Sequence, residues 1–267
     1  MNQLLNENSS KGSPFGAPSE APLWKLVFDV TCVILGLPLV LPLIIAICVL
    51  IKIVSFGPVL FKQERVGYRG RRFQCYKFRS MKITSDQAVH LKYVEKLIDF
   101  DLPMTKMDVK GDSRLIPLGW LLRATGLDEL PQLFNVLRGE MSLVGPRPCL
   151  PFEYERYLPW QRERSNTLPG LTGLWQVSGK NHTTFVEMMR LDIRYSRNKS
   201  LWLDIKILLR TIPAIVRQTR ETTSQAPSHA GWSVSGNPLS QTAETDFHLG
   251  EVDSMASVTT ESRMIRK

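Results

Sequence analysis

The 267-residue sequence predicts an α+β protein, mostly helical, with a membrane-inserted N-terminal helix, small β elements and interfacial amphipathic helices. Three observations carry this. Residues 30–51 form a 22-residue stretch without a charge, about 33 Å long as a helix and enough to cross a bilayer core. Residues 54–81 alternate turn residues with short apolar pieces. Beyond residue 115 apolar side chains recur at helical spacing.

Taken in order, residues 1–21 are rich in Asn, Ser, Gly and Pro and read as a flexible tail. Residues 22–53 form the membrane-inserted segment. A cleaved signal peptide fits poorly, because the run is long, starts late and lacks a small-residue cleavage site. Gly36, Pro38 and Pro42 interrupt it, and interior prolines kink helices. Sequence physics leaves two geometries, a kinked span and a hairpin that re-emerges on the entry face. The flank from Lys52 to Lys82 holds nine bases and one acid, so it belongs on the cytoplasmic side. The other flank, with Lys25 and Asp29, does not orient the chain.

Residues 54–220 form the main domain. Residues 59–61 and 73–78 read as short strands around a basic turn at Gly67 and Gly70. Helices are expected over 85–108, 115–138, 152–164 and 184–196. In 201–217, Leu201, Trp202, Ile205, Leu208, Leu209, Ile212, Ile215 and Val216 form an apolar stripe beside Lys206, Arg210 and Arg217. That pattern suits a helix lying in the interface plane as well as one packed on a core. Pro213 is expected to kink or end it. Residues 221–267 read as a disordered tail.

Lysine and arginine number 34 against 25 acids, for a net +9. Six acids and three bases after Arg220 leave the tail at −3 and the first 220 residues at +12. Such a body seeks an anionic partner. The four cysteines are scattered without a C-x-x-C, which excludes a disulfide scaffold and argues against zinc.

Three segments hold the chemistry. In Arg123–Glu140, Pro131 requires a helix to begin near 127–130, placing Asp128 and Glu129 at its N-terminus. Thr125 and Asp128 are spaced as a capping box. Equally, a carboxylate held ionised beside Arg123 can bind Mg²⁺ or attack phosphorus. Arg147, bracketed by Pro146 and Pro148, sits on a stiff loop suited to presenting a guanidinium fork to phosphate, or to a rigid surface turn. In 168–181, Gly170, Gly173 and Gly179 permit close backbone approach. There Trp175 and Gln176 suit a base or sugar, or a core tryptophan beside tight turns. The run from Gly173 to Lys180 is only a near miss of an ATP phosphate loop.

Three blocks, RVGYRGRRFQCYKFRSM (65–81), LDELPQLFNVLRGEMSLVGPRP (127–148) and LPGLTGLWQVSGKN (168–181), resemble the bacterial sugar transferases, the small monotopic phosphoglycosyl transferases. The resemblance runs from about Leu23 to Val216. It implies transfer of a sugar-1-phosphate from a UDP-sugar to polyprenyl (undecaprenyl) phosphate, with release of UMP, at the start of exopolysaccharide or lipopolysaccharide assembly. It implies a two-step covalent route with Asp128 as nucleophile, Glu129 as its partner, and Mg²⁺ near Asp128. Arg123 and Arg147 become phosphate contacts, and Arg79, Trp175, Gln176 and Lys180 further substrate contacts. Glu129 has three open roles: orienting Asp128, sharing the metal, or accepting a proton.

The resemblance also implies a re-entrant membrane helix broken at Pro42, where the family's common Ser-Pro pair is Leu41-Pro42 here. The family's closing Gly-Arg is Gly179-Lys180. The expected location is the cytoplasmic face of a bacterial inner membrane, in contact with membrane lipid, and a homo-oligomer is left open. Two rivals were weighed. A non-enzymatic polybasic adaptor for anionic lipid explains the charge and the apolar run but not the Asp-Glu and Gly-Pro-Arg-Pro blocks. A nucleic-acid binder using Phe61, Phe73, Tyr76 and Phe78 for stacking conflicts with the membrane segment, so no nucleic-acid partner is expected.

Overall fold

The computed structural model describes residues 21–82, 88–104, 114–180 and 183–224, all within one compact unit. The two expected tails fall largely outside these residues. Helix α1 (Leu23–Val54) is one 32-residue element that continues through Pro38 and Pro42, so neither proline interrupts its assignment. It is the one helix among the described residues that is long and apolar enough to cross a membrane.

Only the ends of α1 pack on the body. Val33 joins a cluster with Cys75, Val136 and Met141, against which Leu133 packs. Ile47 and Ile51 join Phe78, Ile116 and Leu122, with Leu127 and Leu130 against them. The intervening Ile34, Leu35, Leu39, Leu41 and Leu43 are exposed. The N-terminal flank has a structural role that the charge count missed. Lys25 is fully buried, with its Nζ 2.6 Å from Asp204 Oδ2 and donating to Tyr195 Oη at 3.0 Å. Asp29 Oδ1 accepts from the Leu143 backbone N–H.

Strands β1 (Leu60–Val66) and β2 (Arg72–Phe78) form an antiparallel hairpin in register Leu60 to Phe78. Its turn uses Arg69 and Gly70 at positive φ, and a Cβ on Gly70 would lie 2.8 Å from Tyr154 Oη. Of the expected 85–108 helix, α2 covers Ala88–Phe100 and residues 101–104 are not helical, while 85–87 and 105–108 lie outside the described residues. The expected 115–138 helix is divided. Helix α3 (Gly119–Thr125) stops at left-handed Gly126, a 3₁₀ turn covers Leu127–Glu129, and α4 (Gln132–Leu137) starts only after Pro131. Likewise 152–164 resolves into α5 (Pro151–Glu155) and a 3₁₀ turn over Gln161–Ser165.

Strands β3 (Ser142–Val144) and β4 (Gly170–Thr172) pair in parallel and were not expected, being three residues each. Between them the backbones nearly touch. A Cβ on Gly145 would lie 2.2 Å from Leu168 O, and one on Gly170 2.1 Å from Gly145 N. Helices α6 (Leu174–Val177) and α7 (Phe185–Asn198) follow, α7 opening with a Thr184–Glu187 capping box. Helix α8 (Leu201–Ser224) passes through Pro213 rather than ending there, and so reaches into the expected tail. Ile207 is buried while Trp202, Leu209 and Ile212 face outward.

Candidate functional site

The β1–β2 hairpin organises the site. Asn135 of α4 is fully buried, accepts from Tyr76 N–H at 3.2 Å and donates to Gln74 O at 2.7 Å, which locks α4 onto β2. Sequence reading missed this residue, because an Asn within LFNVLRGE carries no signal of what it will face. Asp128 is 6% exposed in the 3₁₀ turn beside α4. Glu129 pairs with Lys77 of β2 at 2.7 Å. The capping box does not form. Thr125 Oγ1 instead donates back to the carbonyls of Leu121 and Leu122, at 2.7 and 3.2 Å.

Arg123, in the last turn of α3, reaches Ser80 Oγ at 3.4 Å. Lys180 donates to Gln218 Oε1 at 3.1 Å, and Gln218 Nε2 donates to Ala124 O at 3.1 Å. Helix α8 thus ties Lys180 to the segment carrying Arg123.

Arg147 lies on the Gly-Pro-Arg-Pro loop, partly exposed, with Glu153 Oε2 at 3.7 Å. The loop's carbonyls are held by two buried arginines. Arg164 Nη2 donates to Arg147 O at 2.9 Å, and Arg65 Nη1 to Pro148 O at 3.0 Å. Burial lowers the Arg65 pKa, and the neighbouring Arg147 charge lowers it further. Arg164 is itself seated on Tyr157 Oη and Asp192. Burial pushes the Asp192 carboxyl up while Arg164 pulls it down. These supports fix the loop backbone at Arg147 and Pro148.

Cys75 marks where the halves meet. Burial pushes its thiol up, Lys77, Arg65 and Arg147 pull it down, and Glu129 raises it again. The Asp128–Glu129 turn meets the hairpin at Lys77 of β2, and the Arg147 loop meets it at Arg65 of β1. Lys77 beside Glu129 and the partly exposed Arg147 on its stiff loop are cations of the kind that suit an anionic substrate carrying phosphate.

The other candidates fall elsewhere. Arg79 is buried, and its guanidinium donates to Ser55 O and Phe56 O, closing the C-terminal end of α1. Trp175 is a core residue, 3% exposed among Val66, Tyr157 and Phe185, with its indole N–H on Thr183 Oγ1 at 2.6 Å. Gln176 Oε1 is buried with no hydrogen-bond partner among the described residues. Gly173 and Gly170 do permit close approach, but of backbone to the 145 loop. Pro42 is in the exposed middle of α1. Among the described residues no three His, Cys, Asp or Glu side chains gather as a metal cluster.

Comparison with known proteins adds to this geometry. A family model described as "Bacterial sugar transferase" matches residues 20–218. A galactosyl transferase CpsE of Streptococcus agalactiae is 41% identical over 196 residues, covering 73% of this chain and 42% of the relative. An undecaprenyl-phosphate galactose phosphotransferase of Salmonella typhimurium is 40% identical over 201 residues, 73% of this chain and 40% of the relative. A UDP-glucose:undecaprenyl-phosphate glucose-1-phosphate transferase of Caulobacter vibrioides is 41% identical over 202 residues, 73% of this chain and 70% of the relative. The chain thus spans about two fifths of the length of the first two.

Proposed function

The chain belongs to the bacterial sugar transferase family, and from that premise we propose that it transfers a sugar-1-phosphate from a UDP-sugar to polyprenyl phosphate at a membrane surface. One observation carries the reading. Ile47 and Ile51, in the C-terminal part of α1, share one apolar cluster with Phe78, Ile116 and Leu122, and Leu127 and Leu130, the residues that flank Asp128 and Glu129, pack against that cluster. The candidate nucleophile is thereby tied to the emerging end of the apolar helix, at the depth of a lipid phosphate.

In the first step an Asp128 oxygen attacks the sugar-bearing phosphorus of the donor. The bond from that phosphorus to the bridging oxygen breaks, and UMP departs with the electron pair. In the second step a phosphate oxygen of the acceptor attacks the same phosphorus and frees the Asp128 carboxylate. Splitting the displacement in two lets one site serve two anionic substrates in turn. Arg147, aimed by Arg65 and Arg164, and Arg123 at the end of α3 would hold the diphosphate and offset charge on the departing UMP. Lys77 of β2 pairs with Glu129 at 2.7 Å, next in sequence to Asp128. Mg²⁺ keeps several waters and takes one or two carboxylates plus substrate phosphates. Asp128 fits such a set with the donor's own oxygens completing it, and the ion would supply electrostatic stabilisation of the diphosphate.

The packing of α1 supports a re-entrant course. Val33 and Ile47 are 14 residues apart, about 21 Å in a straight helix. Both are buried against one body, as are Lys25 and Ile51 near the two ends of the helix, while the stretch between them that holds Pro38 and Pro42 is exposed. A bend in that stretch would bring both ends to the cytoplasmic face of the inner membrane. The outward Trp202, Leu209 and Ile212 suit α8 to the interface plane.

The test is a covalent adduct. Purified protein with Mg²⁺ and a UDP-sugar, without acceptor, is expected to gain one hexose-phosphate mass and release UMP. Asp128→Asn should show neither, and an adduct persisting in that variant would overturn the assignment. A panel of UDP-sugars in the same assay identifies the donor.

A further inference from the structure

A groove lies apart from this site, between the Gln161–Ser165 turn and α7. Ile193, 7% exposed, contributes to its lining, and Trp160, 41% exposed, lines it too. Arg190, Arg194 and Arg197 line it from α7 with Glu163 opposite. Arg197 grips Glu163 with two hydrogen bonds, at 2.5 and 2.6 Å, and holds that carboxyl below its usual range. Glu163 is thus neutralised by Arg197. Neither Arg190 nor Arg194 forms an ion pair among the described residues, and they stand one helical turn apart, about 6 Å.

The groove's place in the fold identifies its surroundings. Tyr195 of α7 donates to Asp204 at 2.7 Å and accepts from Lys25 at 3.0 Å. The end of α7 therefore meets the start of α1, where Leu23 is 75% and Trp24 37% exposed. Three residues after Asn198 comes α8, with Trp202 63% exposed over Lys206. Exposed tryptophans at the start of an apolar helix belong at headgroup depth. A two-arginine groove with an aromatic wall at that depth faces lipid phosphates.

We propose that the Arg190–Arg194 groove binds the phosphate of an anionic bilayer phospholipid, with Trp160 and Ile193 against the lipid's glycerol region. The site rests on the membrane-bound reading above. It is separate from the Asp128 centre, because Arg190, Arg194 and Arg197 lie on the outer face of α7 while Asp192 turns inward to Arg164. Charge complementarity selects the occupant, since zwitterionic headgroups offer no net charge to two guanidiniums. The bound lipid would fix the rotation of the domain about α1 at the membrane.

The test uses the full chain in detergent with equimolar phosphatidylglycerol and phosphatidylcholine, and reads retained lipid by native mass spectrometry. Wild type should retain one phosphatidylglycerol with about tenfold preference. R190Q/R194Q should bring the preference close to one at an unchanged melting temperature. K62Q/K96Q, which removes the same charge elsewhere, should leave the preference intact. Preference surviving in R190Q/R194Q, absence of preference in wild type, or displacement of the lipid by UMP would each overturn the proposal. UMP release measured in parallel fails separately if the transferase reading is wrong, and the lipid preference stays readable without it.

Discussion

Replacing Lys25 by Met tests how α1 is fastened to the rest of the body. The Lys25 and Asp204 side chains are 1% and 0% exposed, and their charged atoms are 2.6 Å apart. The substitution leaves a carboxylate in the interior with Tyr195 Oη, at 2.7 Å, as its side-chain donor. Stranding one member of a buried pair costs about 3–5 kcal/mol. For a body of this size each kcal/mol lowers the melting temperature by about 2–4 °C, so a drop of roughly 6–20 °C is expected. Replacing both partners, Lys25→Met with Asp204→Leu, should recover at least half of that loss. Apolar pairs of similar volume are often no less stable than the ion pair, and Tyr195 Oη keeps Val144 O at 3.0 Å. The assay is thermal unfolding in detergent of wild type, both single variants and the double. A single-variant loss below about 1 kcal/mol, or a double variant as unstable as the sum of the singles, would refute the reasoning.

Gly145→Ala places a methyl group 2.2 Å from Leu168 O, so a loss of about 3 kcal/mol or more and a displaced Arg147 loop are expected, read by melting temperature and UMP release. Survival of both would show that the β3–β4 approach is slack. Burial raises the Cys75 and Cys149 thiols, so native alkylation should be slow at pH 8 and still climbing above pH 9, with rapid reaction in urea. The same shift makes the unfolded thiols ionise first, so their contribution to stability is lost as pH rises from about 8.5. In a background without native cysteines, Leu23→Cys and Ile53→Cys, at exposed positions, should react from the same side of sealed vesicles. Labelling from opposite sides would replace the bent helix with a span.

Much of this molecule was legible because its signals are local. An uncharged 22-residue run, turn glycines around a hairpin, and a proline beside Asp128 act through chain geometry alone. Boundaries were less legible where tertiary contacts intervene. Gly126 in the left-handed region and Pro131 divide what periodicity read as one helix, while Pro213 fails to end α8. The candidate site residues and their supports split the same way. Asp128, Glu129, Arg123 and Arg147 come with distinctive neighbours. Asn135, Arg65 and Arg164 act across more than 15 residues and have ordinary ones. Arg79 and Trp175 show the opposite error, a striking residue in a matching block whose side chain serves the helix end or the core.

Depth is the property this architecture controls. On the proposed reaction, the acceptor phosphate stays near the headgroup layer, so Asp128 would have to be held at that depth. A 1 Å misplacement can cost about a hundredfold in rate. A loop alone would not hold a carboxylate that closely. Here Leu127 and Leu130 bind the Asp128 turn to Ile47 and Ile51, while Lys25 and Asp204 bind the other end of α1 to α8. The two fastenings differ in kind for a physical reason. Apolar packing near the end of α1 tolerates sliding along a helix, whereas a buried ion pair accepts one register only. The ion pair therefore sets the position of α1, and the hydrophobic cluster transmits that position to the carboxylate.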